Sequence, residues 1–180
     1  RTTHTALFLG LGSIFVAVGL GCVERVRELT AAEQAQVREY VSDHRPRLRH
    51  RTSVRFGDDV ELIGYDVDAA QWLPGSKVRF TWYWHAKGEV GEGWKAFTHV
   101  CDGTGNLRFP VDDEGPTRRL YPVSRFREGD YVRDVQEITL PVDFEGPDAA
   151  VYVGIYRGDE RMAITLGTDD GDSRTRVVTL

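Results

Sequence analysis

Read as a string of apolar and polar positions, the chain changes character twice. From Ala6 to Gly21, sixteen residues pass without a charge (ALFLGLGSIFVAVGLG), and the run closes on Cys22. It is apolar on every face, unlike the one-sided stripe of a helix packed on a soluble core. Beyond Cys22 the chain turns polar and first takes a helical pattern. Thr30 with Glu33 three residues later has the form of a capping box, and Leu29 can act as the staple before it. Good helix formers continue from Ala31 to Asp43, and Pro46 stops them. The apolar side of this stretch (Leu29, Ala32, Val37, Tyr40, Val41) is thin, which fits a short spacer helix or stalk.

From Ser53 onward the period shortens to two. Asp59–Asp66 (DVELIGYD) reads as a strand, and Lys77–Ala86 (KVRFTWYWHA) alternates strictly. Val78, Phe80, Trp82 and Trp84 face one way and Arg79, Thr81, Tyr83 and His85 the other, so the first set is expected in a core. Trp94–Cys101 is expected to pair with that strand after the Gly-rich turn at 87–93, and Asp102–Asn106 makes another tight turn. Arg108–Gly129 reads as a long irregular stretch. Tyr131–Pro141, Ala149–Arg157, Arg161–Gly167 and Arg174–Leu180 read as further strands, with a hairpin turn at Gly158-Asp159-Glu160. About seven short strands between regular turns predict a mainly β fold, an antiparallel β-sandwich of immunoglobulin-like or jelly-roll-like form. The expected organisation is a signal or anchor segment at 1–22, a helical spacer and basic linker at 23–52, and the sandwich at 53–180.

Composition narrows this further. A chain of 180 residues with 41% hydrophobic content supports one good core. Its net charge of −5 argues against nucleic acid as a partner, because such domains present a clearly basic face. The two cysteines are Cys22 and Cys101, so no disulfide framework is expected.

The leading run lies between two known sizes. A secretory signal carries roughly 7–15 apolar residues, whereas a membrane span needs about 20. The closing Gly19-Leu20-Gly21-Cys22 resembles a bacterial lipoprotein signal, although that family prefers Leu where Gly19 stands. The resemblance implies cleavage before Cys22, lipidation of its thiol, and a domain tethered on the periplasmic or outer-surface side of the cell envelope. An uncleaved single-pass anchor is the alternative. Downstream, Arg45, Arg47, Arg49 and Arg51 alternate along an extended stretch and fall on one side of it. They suit contact with anionic lipid head groups or phosphates, or else form a solvated linker paired with the acidic surplus of the domain.

A second resemblance covers more of the chain. Gly64-Tyr-Asp-Val-Asp68, Pro74-Gly75, Tyr83-Trp84, Phe97-Thr-His99-Val100, Tyr121-Pro-Val-Ser-Arg-Phe126, Gly129 with Asp134, Leu140-Pro141 and Val153-Gly-Ile-Tyr156 follow one another in order. Together they resemble a β-sandwich module of bacterial envelope proteins, often appended to membrane glycosyltransferases. The resemblance implies an extracytoplasmic sandwich and no catalytic residue.

The chemistry-bearing residues fit that picture. His99 with Asp102, or His85 with Asp134, forms the outline of an acid–base pair, but no nucleophile elbow accompanies either. No Cys-x-x-Cys or His-Glu-x-x-His occurs, and Asp112–Glu114 and Asp169–Asp172 do not follow an EF-hand, so neither metal nor cofactor is expected. Trp72, Trp94, Tyr121 and Phe126 lie in or beside loops, where exposed rings stack on sugars. The expectation is a non-catalytic, membrane-tethered envelope protein whose sandwich binds or supports a protein partner. The alternative is a carbohydrate-binding module acting on envelope or extracellular glycan.

Overall fold

The structure, a computed structural model, describes residues 27–180; the apolar run and Cys22 lie outside the described residues. Strands β1 (Val41–Ser42), β2 (His50–Phe56), β3 (Val60–Val67), β4 (Lys77–Ala86), β5 (Lys95–Asp102) and β6 (Leu107–Pro110) precede β7 (Tyr131–Thr139). After it come β8 (Ala149–Arg157), β9 (Glu160–Arg161), β10 (Ile164–Leu166) and β11 (Arg174–Thr179). Helix α1 (Ala31–Val37) leads, and α2 (Pro116–Leu120) with a 3-10 turn (Val123–Arg125) lies between β6 and β7.

The strands form two antiparallel sheets, ordered β1-β7-β4-β3-β2-β10 and β11-β8-β5-β6. The alternation in β4 has the predicted phase: Val78, Phe80, Trp82 and Trp84 are all at or below 2% exposed and face the second sheet. From that sheet Val100, Val151, Val153 and Ile155 close the core. The fold is therefore a mainly β, antiparallel sandwich.

Several local readings change. The capping box at Thr30 forms as predicted, but the helix stops at Val37 instead of running to Asp43. Val41 and Ser42 instead pair with Val132 and Tyr131 at the sheet edge, and the Arg133 N–H donates to the Tyr40 carbonyl. The segment is thus docked on the sandwich and is not a free stalk. Lys95–Asp102 does not pair with β4; it pairs with β6 and β8 in the opposite sheet. Residues 87–94 carry the chain across the core, which a tight hairpin turn cannot do. The expected strand Arg161–Gly167 splits, because β9 pairs with β8 in one sheet and β10 with β2 in the other.

Candidate functional site

The sheet β11-β8-β5-β6 carries an unusual outer face. Ala96, Thr98 and Val100 of β5 point into the core, which turns Phe97, His99 and Cys101 outward. In β8 the same alternation turns Ala150, Tyr152, Gly154 and Tyr156 outward. A face turned to water is ordinarily polar. Here Phe97, Cys101 and Tyr152 are buried, because other side chains lie over them.

Two arginines do the covering. The Arg161 guanidinium lies 5.0 Å from the centre of the Phe97 ring, and that of Arg174 lies 4.5 Å from the centre of Tyr152. Each is clamped by the loop at 168–173: Arg161 donates to the Asp172 carbonyl at 2.7 Å and pairs with its carboxylate, and Arg174 pairs with Asp170 at 2.6 Å. Two acids of the Asp169–Asp172 cluster, Asp170 and Asp172, therefore hold arginines. Phe97 can lie flat because its cross-strand partner is Gly154, where an added Cβ would come within 2.2 Å of the ring. A glycine inside a strand marks this kind of close approach.

Beside the arginine over Phe97, a solvent-open cleft of about 270 Å³ is lined by Phe97, His99, Asp112, Tyr156, Asp159 and Arg161. Burial, then the Arg161 and Arg174 charges, push the His99 imidazole down to about 4, so it is neutral at pH 7. Its Nε2 stands 4.0 Å from Asp112 Oδ1, beyond hydrogen-bond reach, so a neutral ring and a carboxylate meet here and not an ion pair. His99 Nδ1 is buried and has no partner among the described residues. Burial pushes the Asp112 carboxyl up, while the Thr98 N–H at 3.1 Å and the nearby Arg118 charge hold it back.

A buried polar network fixes this site from the core side. Arg118 Nε donates to Asp134 Oδ2 at 2.9 Å, with both side chains buried. Arg118 Nη2 donates to Thr98 Oγ1 at 2.8 Å and Nη1 to the Asp112 carbonyl at 3.2 Å. Gln136 Oε1 accepts from Thr98 Oγ1 and from Trp82 Nε1, both at 2.8 Å. The network therefore joins α2, β4, β5, β7 and the Asp112 loop.

The predicted site residues are placed differently. Trp72, Trp94 and Phe126 are 5%, 8% and 5% exposed, so their faces are spent within the protein and do not offer themselves to a sugar. Trp72 meets Phe80 edge-on, and Trp94 lies beneath Arg157. Half-buried Tyr121 stacks on Phe126 and donates its hydroxyl to Asp130 at 2.6 Å, and burial pushes the phenol up. Neither imagined acid–base pair forms. Asp134 is taken by Arg118 and Trp84, His85 stacks on Tyr131, and Asp102 caps its own turn through Thr104 and Asn106. Arg45, Arg47, Arg49 and Arg51 are exposed. Cys22 lies outside the described residues. The outward row Phe97, His99, Cys101 was legible as a strand face, and Gly154 inside an apolar strand was a signal of close packing. The covering arginines carried no signal in their spacing.

Cys101 shares this face. It is fully buried and its thiol is pushed up by burial, so it is a packed thiol, not a thiolate nucleophile.

No family model matches the chain, and no curated protein matches it. Solved structures that resemble it include the C-terminal domain of wzt, at 14% identity and TM-score 0.44, covering 64% of this chain and 74% of that one. A Niemann-Pick type C2 protein from the Japanese carpenter ant matches at 8% identity and TM-score 0.37, covering 66% of this chain and 92% of that one. Both scores are low, so the fold assignment rests on the strand order and register described above.

Proposed function

We propose that this chain is a non-catalytic, membrane-tethered binding protein of the bacterial envelope that holds a polar protein partner against the outer face of the sheet β11-β8-β5-β6, as an accessory subunit of a membrane complex. The observation that carries the reading is the cleft beside Arg161. Its floor is aromatic, Arg161 is fixed by the 168–173 clamp and Asp112 by the core network, His99 and Asp159 add further polar groups, and it is open to solvent. A preformed polar cleft spares a ligand part of the ordering cost of binding. The packed thiol of Cys101 and the separation of His99 from Asp102 and of His85 from Asp134 support a non-catalytic role. The apolar run closing on Cys22 supports the tether and, through its likeness to a lipoprotein signal, the envelope address.

One observation favours glycan as the ligand instead. The Tyr156 ring is half-exposed at the cleft, beside carboxylates and a guanidinium, which is the combination that stacks a sugar ring and holds its hydroxyls. In that reading the sugar contact moves from the loop aromatics to the sheet face.

The test is a photo-crosslinking residue at exposed Asp159, in full-length protein kept in its membrane. A discrete protein adduct that disappears with Arg161→Ala is expected. Adducts formed only from the opposite sheet, for example from Arg79, would overturn the assignment of this face. Saturable binding on a glycan array that is lost with Tyr156→Ala would replace the protein partner by a glycan.

A further inference from the structure

We infer that the basic segment at 43–49, with Arg51 at its end, is a strap that docks the sandwich on an anionic phospholipid surface. The inference begins with topology. β1 and β2 are consecutive in sequence, yet β7, β4 and β3 separate them in the sheet. The connecting residues must therefore cross strands spaced about 4.8 Å apart, a lateral distance of roughly 19 Å. Seven residues fully extended reach only about 25 Å, so the crossing is nearly taut.

The strap runs over the outer face, since Phe80, Trp82 and Trp84 fill the inner one. Its backbone is pinned there: the Arg49 N–H donates to Asp66 Oδ1 at 3.0 Å. Leu48 packs over Gly64, where an added Cβ would lie 3.0 Å from a Leu48 methyl and 2.5 Å from the His50 carbonyl oxygen. The charges of Arg45 and Arg49 are felt by His85 and Tyr83 on the same face. These arginines are thus presented by a fixed support and not by a loose linker.

Arg45, Arg47, Arg49 and Arg51 are exposed, and among the described residues none forms an ion pair. The nearby acids are already engaged. Asp43 pairs with His44, Asp66 accepts from Arg49 N–H and the Tyr83 hydroxyl, Asp68 accepts from Arg79 N–H, and Glu61 holds Lys87 and Ser53. Four adjacent guanidiniums without an ion pair make this face attractive to anions although the chain as a whole carries a net charge of −5. Guanidinium groups match phosphate oxygens with paired hydrogen bonds. Each basic residue near an anionic leaflet raises affinity about fivefold, and four raise it roughly several-hundred-fold at low salt.

The experiment uses the full-length protein in vesicles of phosphatidylcholine alone and of phosphatidylcholine mixed with phosphatidylglycerol. Phenylglyoxal labelling of individual arginines is read by mass spectrometry, with Arg157 on the other sheet as the internal reference. At least tenfold slower labelling of Arg45, Arg47, Arg49 and Arg51 on the anionic vesicles is expected. It should be lost in about 1 M salt, where the screening length shrinks to roughly 3 Å. The variant R45Q/R47Q/R49Q/R51Q, which breaks no ion pair, should melt like the parent and lose any preference for anionic vesicles in a sedimentation assay. Equal labelling on both vesicle types would overturn the inference. So would equal protection by a soluble oligonucleotide in neutral vesicles, which would assign the strap to nucleic acid. If the protein leaves the neutral vesicles altogether, the tether fails separately. Sedimentation with anionic vesicles then decides the strap: retention supports it and release overturns it.

Discussion

At Gly154 one hydrogen atom decides whether the outer face of the second sheet can form. Phe97 occupies the space a side chain would need, and the Ser173 carbonyl approaches to 2.9 Å of the same point. Gly154→Ala should therefore lift Phe97 and its covering arginine, with a loss of about 1–3 kcal/mol in urea unfolding. Trp82 has the opposite problem. It is fully buried, and its indole N–H feeds Gln136, so Trp82→Ala should cost about 3–5 kcal/mol, and a variant as stable as the parent would place the ring outside the core. His99 gives a pH signature. Its ring titrates near 6.5 in the unfolded chain and near 4 in the fold, so between those values the unfolded chain holds the extra proton. The stability that depends on a neutral ring is complete above about pH 6.5 and is lost as pH falls through about 4. The raised Asp112 carboxyl acts in the other direction, favouring the fold at low pH, so the comparison must isolate the histidine. His99→Gln should flatten the fall in stability between those pH values; an unchanged slope would mean that the ring is not desolvated.

At the scale of elements, β7 was read correctly as a strand and incompletely as a surface. Val132 and Ile138 face the core, and the same alternation sends Asp134 and Gln136 inward. Their phase was visible in the sequence. Their partners were not, because Arg118 reaches them from a stretch that reads as irregular and Thr98 from the opposite sheet. Removing one member of such a buried pair leaves a charge without compensation. Arg118→Met should cost about 3–5 kcal/mol, and adding Asp134→Leu should recover part of that in a double-mutant cycle. The helix prediction failed over Arg38–Asp43 for a related reason. Helix propensity there is ordinary, and pairing of Val41 with Val132 at an open sheet edge outweighs it.

For the whole molecule, the tether is the expectation with the widest consequences. Among the described residues no helix is long and apolar enough to cross a membrane. Mass spectrometry of protein isolated from its native membrane should find Cys22 as the first residue with a diacylglyceryl addition, and Cys22→Ser should leave the longer chain. Recovery of the intact run on unmodified protein would make it a membrane span. The sandwich, the core face of β4, the capping box and the hairpin at Gly158-Asp159 are legible in the residues themselves, because alternation and turn chemistry act over near neighbours. Which sheet β5 joins, where the loop aromatics go, what covers Phe97 and how the arginine strap crosses its sheet emerge with the assembled fold. Each of these depends on contacts between residues far apart in the chain, where burial and charge pairing are set by the packing of whole sheets and not by local pattern.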